Sequence, residues 1–175
     1  MASAGFDWLA VDLEHSTITI REAEELIRII DLKGVIPLVR LSSNDSVQIK
    51  RVMDAGAHGV IVPMVCTPQD ALDAITAVKY PPFGNRGVGL ARAQGYGSRF
   101  DDYNQWQSEN SIVIVQIEHI DAVNDLDSIL SLEGVDGYIV GPYDLSGSMG
   151  IPGQFTAPEF VEAMDQIRVT GKRLN

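Results

Sequence analysis

Short apolar runs alternate with longer amphipathic ones along this chain. Five runs rich in Val and Ile read as strands: Asp7–Leu13, Val35–Leu41, Gly59–Val65, Ile112–Glu118 and Gly137–Gly141. Few of their positions are polar, as expected for strands covered on both faces. Between them the period changes to that of a helix. Ile20–Leu32 carries Leu26, Ile27, Ile29 and Ile30 on one side and Arg21, Glu22, Glu24 and Glu25 on the other. Asp45–Ala55, Pro68–Val78, Ala122–Leu130 and Pro158–Arg168 are the further helical stretches. Thr67-Pro68 and Thr156-Ala157-Pro158 mark two starts, with Pro in or near the first turn. Such alternation gives a parallel sheet with right-handed crossovers, either an open doubly wound sheet or a closed β/α barrel. Both place ligands at the carboxyl ends of the strands. Tyr80–Trp106 breaks the rhythm. It is rich in Gly, Pro and Arg and reads as a long loop, a kind of segment that is usually functional or disordered.

The strand ends carry the polar residues. Side chains alternate along a strand, so Ile112, Ile114, Gln116 and Glu118 share a face, with the carboxylate at the rim. Ile36, Leu38 and Arg40 repeat the arrangement, and Asp12, Glu14 and His15 close the first run. Asp144 follows the last strand in a turn with Gly141 and Pro142. Glu118 and Asp144 thus end successive strands, and two carboxylates side by side repel unless a cation or a shared proton lies between them. Their hard oxygens suit Mg²⁺ or Mn²⁺. A carboxylate after a strand also serves as a helix cap, and a lone histidine as a surface or packing residue. Spacing alone leaves both readings open. His58, in a helix-to-strand turn, falls at the opposite end of the sheet and reads as structural. The glycine-rich loop does not fit a dinucleotide fingerprint, since Arg92 stands where the third glycine would.

Composition narrows the class. A chain of 175 residues is the size of one domain, here 1–175. A net charge of −11 argues against a nucleic-acid or anionic-membrane surface. An anionic substrate would therefore need local cations or a metal ion. No apolar stretch reaches the roughly 18 residues that span a bilayer, and the start, "MASAGFDW", shows no secretory signal. Cys66 is the only cysteine and ends an apolar run, which excludes a disulfide framework and fits a buried thiol in a reducing cytoplasm.

Six segments, "FDWLAVDLEH", "VIPLVRL", "GVIVPMV", "KYPPFGNRGVGLARAQGYG", "VQIEH" and "VDGYIVGPYDLSGSMGIPG", together resemble the HpcH/HpaI aldolase family over nearly the whole chain. The resemblance implies a TIM-type (β/α)8 barrel, here reduced to about five central β/α units. It implies a class II carbon–carbon lyase that joins or splits pyruvate and an aldehyde through a metal-stabilised enolate. The family's metal ligands fall on Glu118 and Asp144, and a divalent cation (Mg²⁺, Mn²⁺ or Co²⁺) is the implied cofactor. Its Asp–His pair falls on Asp12 and His15, with His15 moving a proton and Asp12 orienting it. Its strand-end arginine falls on Arg40, while Gln116 lines the pocket and Arg86 lies in a family loop motif as a substrate contact. Lys33, Lys50, Lys79 and Lys172 all sit on or beside helices, in keeping with chemistry that needs no Schiff base. Small-molecule substrates and a homo-oligomer, commonly a hexamer, are implied as partners. Two alternatives remain on the sequence: a related lyase acting on a CoA thioester, and an inert fragment, since flanking strands of the barrel have no counterpart here.

Overall fold

A computed structural model describes residues 1–174. Five strands, β1 (Trp8–Asp12), β2 (Ile36–Arg40), β3 (Gly59–Val62), β4 (Ile112–Ile117) and β5 (Gly137–Val140), form one parallel sheet in chain order. That order decides between the two architectures. A doubly wound sheet reverses its order once and so covers both faces with helices. Here the order never reverses, and right-handed crossovers put successive helices on the same side. The sheet curls into half of a barrel, with one face under helices and the other turned inward.

The helices begin where the local chemistry dictates. Thr19 caps α1 (Ile20–Leu32) and Thr67 caps α3 (Pro68–Val78), each in a reciprocal capping box, with Glu22 and Asp70 respectively. Asp45 caps α2 (Ser46–Asp54). The outward residues Val11, Val39, Val60, Val113 and Val115 pack against Ile27, Ile49, Val52, Ala74 and Val78 of these helices in one buried cluster. Arg92 fastens the far end of the sheet. Its guanidinium donates to the Ala55 carbonyl at 3.1 Å and to Asp31 at 2.5 Å, joining the ends of α1 and α2.

Several expected boundaries move. Tyr80–Trp106 is not loop throughout, because α4 (Phe100–Asn110) starts inside it. Tyr103 and Gln107 are the only buried residues of that mostly polar helix, so its apolar period is faint. The stretch Ala122–Leu130 is two short helices, α5 (Ile120–Asn124) and α6 (Leu126–Leu130), broken at Asp125. The turn after β5 winds into α7 (Pro142–Ser148), and α8 (Pro158–Leu174) runs beyond Arg168. Cys66 lies past the end of β3 and is only partly buried, not core filler. No helix among the described residues is long and apolar enough to cross a membrane.

Strand register sets the inward face. Ala10, Leu38, Gly59 and Ile112 form one layer, and Asp12, Arg40, Ile61 and Ile114 the next. Gly59 has no room for a side chain: a Cβ there would run into the backbone carbonyl of Ile112 on β4. Because a backbone carbonyl cannot rotate away, Gly59→Ala is expected to cost about 1–3 kcal/mol, the usual penalty for overpacking. Urea denaturation of the two chains would read it directly.

Candidate active site

At the carboxyl end of the sheet, Arg40 of β2 stands opposite Asp12 of β1 in register. Its Nε donates to Asp12 Oδ1 at 2.9 Å and its Nη2 to Oδ2 at 2.6 Å, a planar fork on a planar carboxylate. The remaining Nη1 lies 3.2 Å from Glu14 Oε2. Hydrogen bonding from Arg40 is the largest influence on Asp12 and holds its carboxyl down at about 2, against an ordinary 3.8. Asp12 in turn raises the Arg40 guanidinium. Neither group is exposed enough to be dominated by water, nor buried enough to be stripped of it.

Glu118 is 1% exposed at the end of β4. Its Oε1 accepts the Met64 backbone N–H at 2.7 Å, and its Oε2 accepts from Gln116 Nε2. The same Gln116 nitrogen reaches Glu14 Oε2 at 3.3 Å. Burial pushes the Glu118 carboxyl upward, and the like charges of Glu14 and Asp144 add to that, while the two donors pull the other way. The Met64 donor depends on a left-handed backbone, φ +52°, a conformation that costs a side-chain-bearing residue of order 1–3 kcal/mol.

Among the described residues no three His, Cys, Asp or Glu side chains close around one point, so a hard cation here would rest on two carboxylates, with other oxygens completing its shell. Asp12 and Glu14 lie against one guanidinium that also feels Glu118, and Asp144 acts on Glu118 as a like charge, leaving negative charge in excess at this rim. Each Glu118 oxygen carries a single donor in these contacts, and an ionised carboxylate offers about four lone-pair sites. Gly141, at the end of β5, leaves space that the Glu118 carboxylate uses: a Cβ there would come within 2.5 Å of Oε2. Asp144 follows in the first turn of α7, exposed on the same rim. Gln116 is 2% exposed and its Oε1 is an acceptor without a partner.

Not every expected residue arrives as anticipated. The Asp12 carboxylate does not touch the His15 ring; it accepts the backbone N–H groups of Glu14 at 3.0 Å and His15 at 3.4 Å. It therefore anchors the turn that carries His15, whose side chain is 63% exposed with Nε2 3.8 Å from Glu14. Arg86 does not join the cluster. It is buried, with its guanidinium 4.1 Å over the Tyr80 ring and Nη2 donating to the Tyr103 hydroxyl at 2.9 Å. That cation is held by aromatic faces on the helical side of the sheet. His58 lies just before β3, at the opposite end of the sheet from this cluster, tilted against Trp106 with its backbone bonded to Pro37 and Ile112. Glu14 joins the cluster although the resemblance gives it no role. The signal was present, since strand alternation puts Glu14 two places beyond Asp12 on one face. Met64 had no such signal, because its contribution is a backbone N–H.

Parallel strands of a half barrel deliver a guanidinium, an amide and several carboxylates to one rim, at the carboxyl end of the sheet where β/α folds place their sites. The family model of the HpcH/HpaI aldolase/citrate lyase family matches residues 1–175, and the chain belongs to that family. A 4-hydroxy-2-oxo-heptane-1,7-dioate aldolase of Escherichia coli is 43% identical over 98% of this chain and 68% of its own length. A hydroxypyruvate/pyruvate aldolase of Sagittula stellata is 41% identical over 94% of this chain and 65% of its own. The chain thus spans about two thirds of the length of the curated relatives it matches. A family member from Burkholderia cenocepacia, known from its crystal structure, superposes with a TM-score of 0.93 at 35% identity, over 99% of this chain and 70% of that one.

The Asp12–Arg40 pair has a testable pH signature. Asp12 is more acidic in the fold, so it contributes stability above pH 3.8 that is lost as pH falls through about 2. Asp12→Asn is expected to lower stability by about 1 kcal/mol at pH 7, as for a partly exposed pair. The gap should close across that acid window, read from urea midpoints at each pH.

Proposed function

We propose that this chain carries the site of a metal-dependent pyruvate aldolase, splitting a 4-hydroxy-2-oxoacid into pyruvate and an aldehyde. The half barrel takes its place in this reading as part of a (β/α)8 barrel. The observation that carries it is the pairing of Arg40 with a rim of carboxylates that includes Glu118, in a chain whose named relatives are aldolases. Glu118 and Asp144 would hold a divalent cation, which when bound supplies a Lewis acid for the carboxylate and keto oxygens of pyruvate.

The protein's own groups do the remaining work. Arg40, clamped by Asp12 and Glu14, presents a fixed positive charge beside the keto oxygen as that oxygen gains negative charge. Because the guanidinium is already oriented, no reorganisation is needed when the charge develops. Gln116 lines the inner wall and offers its unpartnered Oε1 to a substrate hydroxyl or water. His15, on a turn fixed by Asp12, is the proton carrier at the open rim. In the cleavage direction the C4 hydroxyl gives its proton to His15, the C3–C4 bond breaks, the C4 oxygen becomes the aldehyde carbonyl, and the electron pair stays on the pyruvate half as an enolate. His15 then returns a proton to C3, and condensation runs the same steps backwards.

Exchange of the pyruvate methyl protons in D₂O tests this without any choice of aldehyde. Proton NMR is expected to show their loss with Mn²⁺ above the metal-only control, and not with EDTA. Glu118→Gln should abolish the metal-dependent part. Arg40→Lys should slow exchange about 100-fold, because a point charge replaces a fork aimed at the oxyanion. Absence of exchange from a folded sample would overturn the reading.

A further inference from the structure

Met64 and Tyr96 are the non-glycine residues with positive φ among those described, and Met64 stands two residues beyond β3. Burial does not explain its conformation, since Met64 is 52% exposed. What the left-handed turn achieves is a direction. It aims the Met64 N–H at Glu118 Oε1, 2.7 Å away and 54 residues later in the chain. β3 and β4 are neighbours in the sheet, so the chain leaving β3 passes the end of β4. Gln116 secures the other oxygen of the same carboxylate from within β4. Between them these donors fix both the rotation and the tilt of the Glu118 carboxylate. Neither is a charged group, so the carboxylate's negative charge stays available.

We propose that Met64 is a positioning residue, whose left-handed backbone holds the Glu118 carboxylate in the orientation that receives a divalent cation. The assignment rests on the reading of Glu118 as a cation ligand, and it lies in the backbone of Met64 rather than its side chain. That makes an unusual pattern of tolerance: glycine, which enters the left-handed region freely, preserves the function, and a β-branched residue, which resists it, does not.

Mn²⁺ binding, followed by electron paramagnetic resonance, is the first readout. Met64→Gly is expected to bind as the unaltered chain does, and Met64→Val about 10-fold more weakly, the scale for groups that orient a metal ligand. The second readout needs neither metal nor an altered Met64. In the metal-free chain the Met64 amide proton should exchange slowly by ¹⁵N-edited NMR, and markedly faster in Glu118→Ala. Equal Mn²⁺ affinity in Met64→Val and the unaltered chain would overturn the proposal while leaving the aldolase reading intact. So would a Met64 amide that exchanges alike with and without the Glu118 carboxylate. An unaltered chain that binds no Mn²⁺ would overturn the cation reading itself, and the positioning role with it.

Discussion

The clamp on Arg40 is the interaction on which the rest of the site depends. A guanidinium on a strand facing a half-barrel interior would be costly without partners, and it cannot shed its charge. Asp12 takes two of its nitrogens and Glu14 lies against the third. Each carboxylate then has a second duty. Asp12 grips the turn that carries His15, and Glu14 meets the amide of Gln116, which reaches Glu118. β1, β2 and β4 are thereby joined at their carboxyl ends by one polar network. Its members are fixed relative to one another before any substrate arrives.

That network is possible because the helices leave the inner face free. Successive crossovers in the same direction place the apolar burial behind the sheet, where Val11, Val39, Val60 and Val113 meet the helices. Stability and chemistry are thus assigned to opposite faces of the same strands. An arginine at position 40 and a valine at position 39 are neighbours in sequence but face different environments. Charge distribution follows the same division. Arg86 and Arg92, though cationic and in one glycine-rich segment, serve the helical side, stacking on Tyr80 and tying Asp31 to the end of α2.

The carboxylates outnumber the cation at the rim, and this imbalance gives the site its character. Burial and like charge both raise Glu118, so the fold spends stability keeping it there, including a strained turn at Met64. Natural sequences tolerate such local conflict chiefly where function requires it. A site arranged only for stability would replace Glu118 by an apolar residue in line with Ile112 and Ile114.

The sequence by itself determined the five strands, the principal helices and the residues at strand ends, because alternation and capping are local properties. Thr67 with Asp70, or Ile112 to Glu118 in steps of two, can be read without knowing what lies opposite. Family resemblance among six segments added the chemistry that spacing left open. Alternation by itself could not choose between a doubly wound sheet and a barrel, which differ in strand order. The resemblance implied the barrel, and the tertiary structure showed the unreversed order of a half barrel. Only the tertiary structure placed Arg40 beside Asp12 and Arg86 over Tyr80, two arginines that the resemblance had both implied as substrate contacts. It also recovered α4, a helix whose few buried positions gave little periodic signal. Finally it brought the Met64 N–H to Glu118, a contact made by a backbone group that every residue but proline possesses and that no sequence pattern can announce.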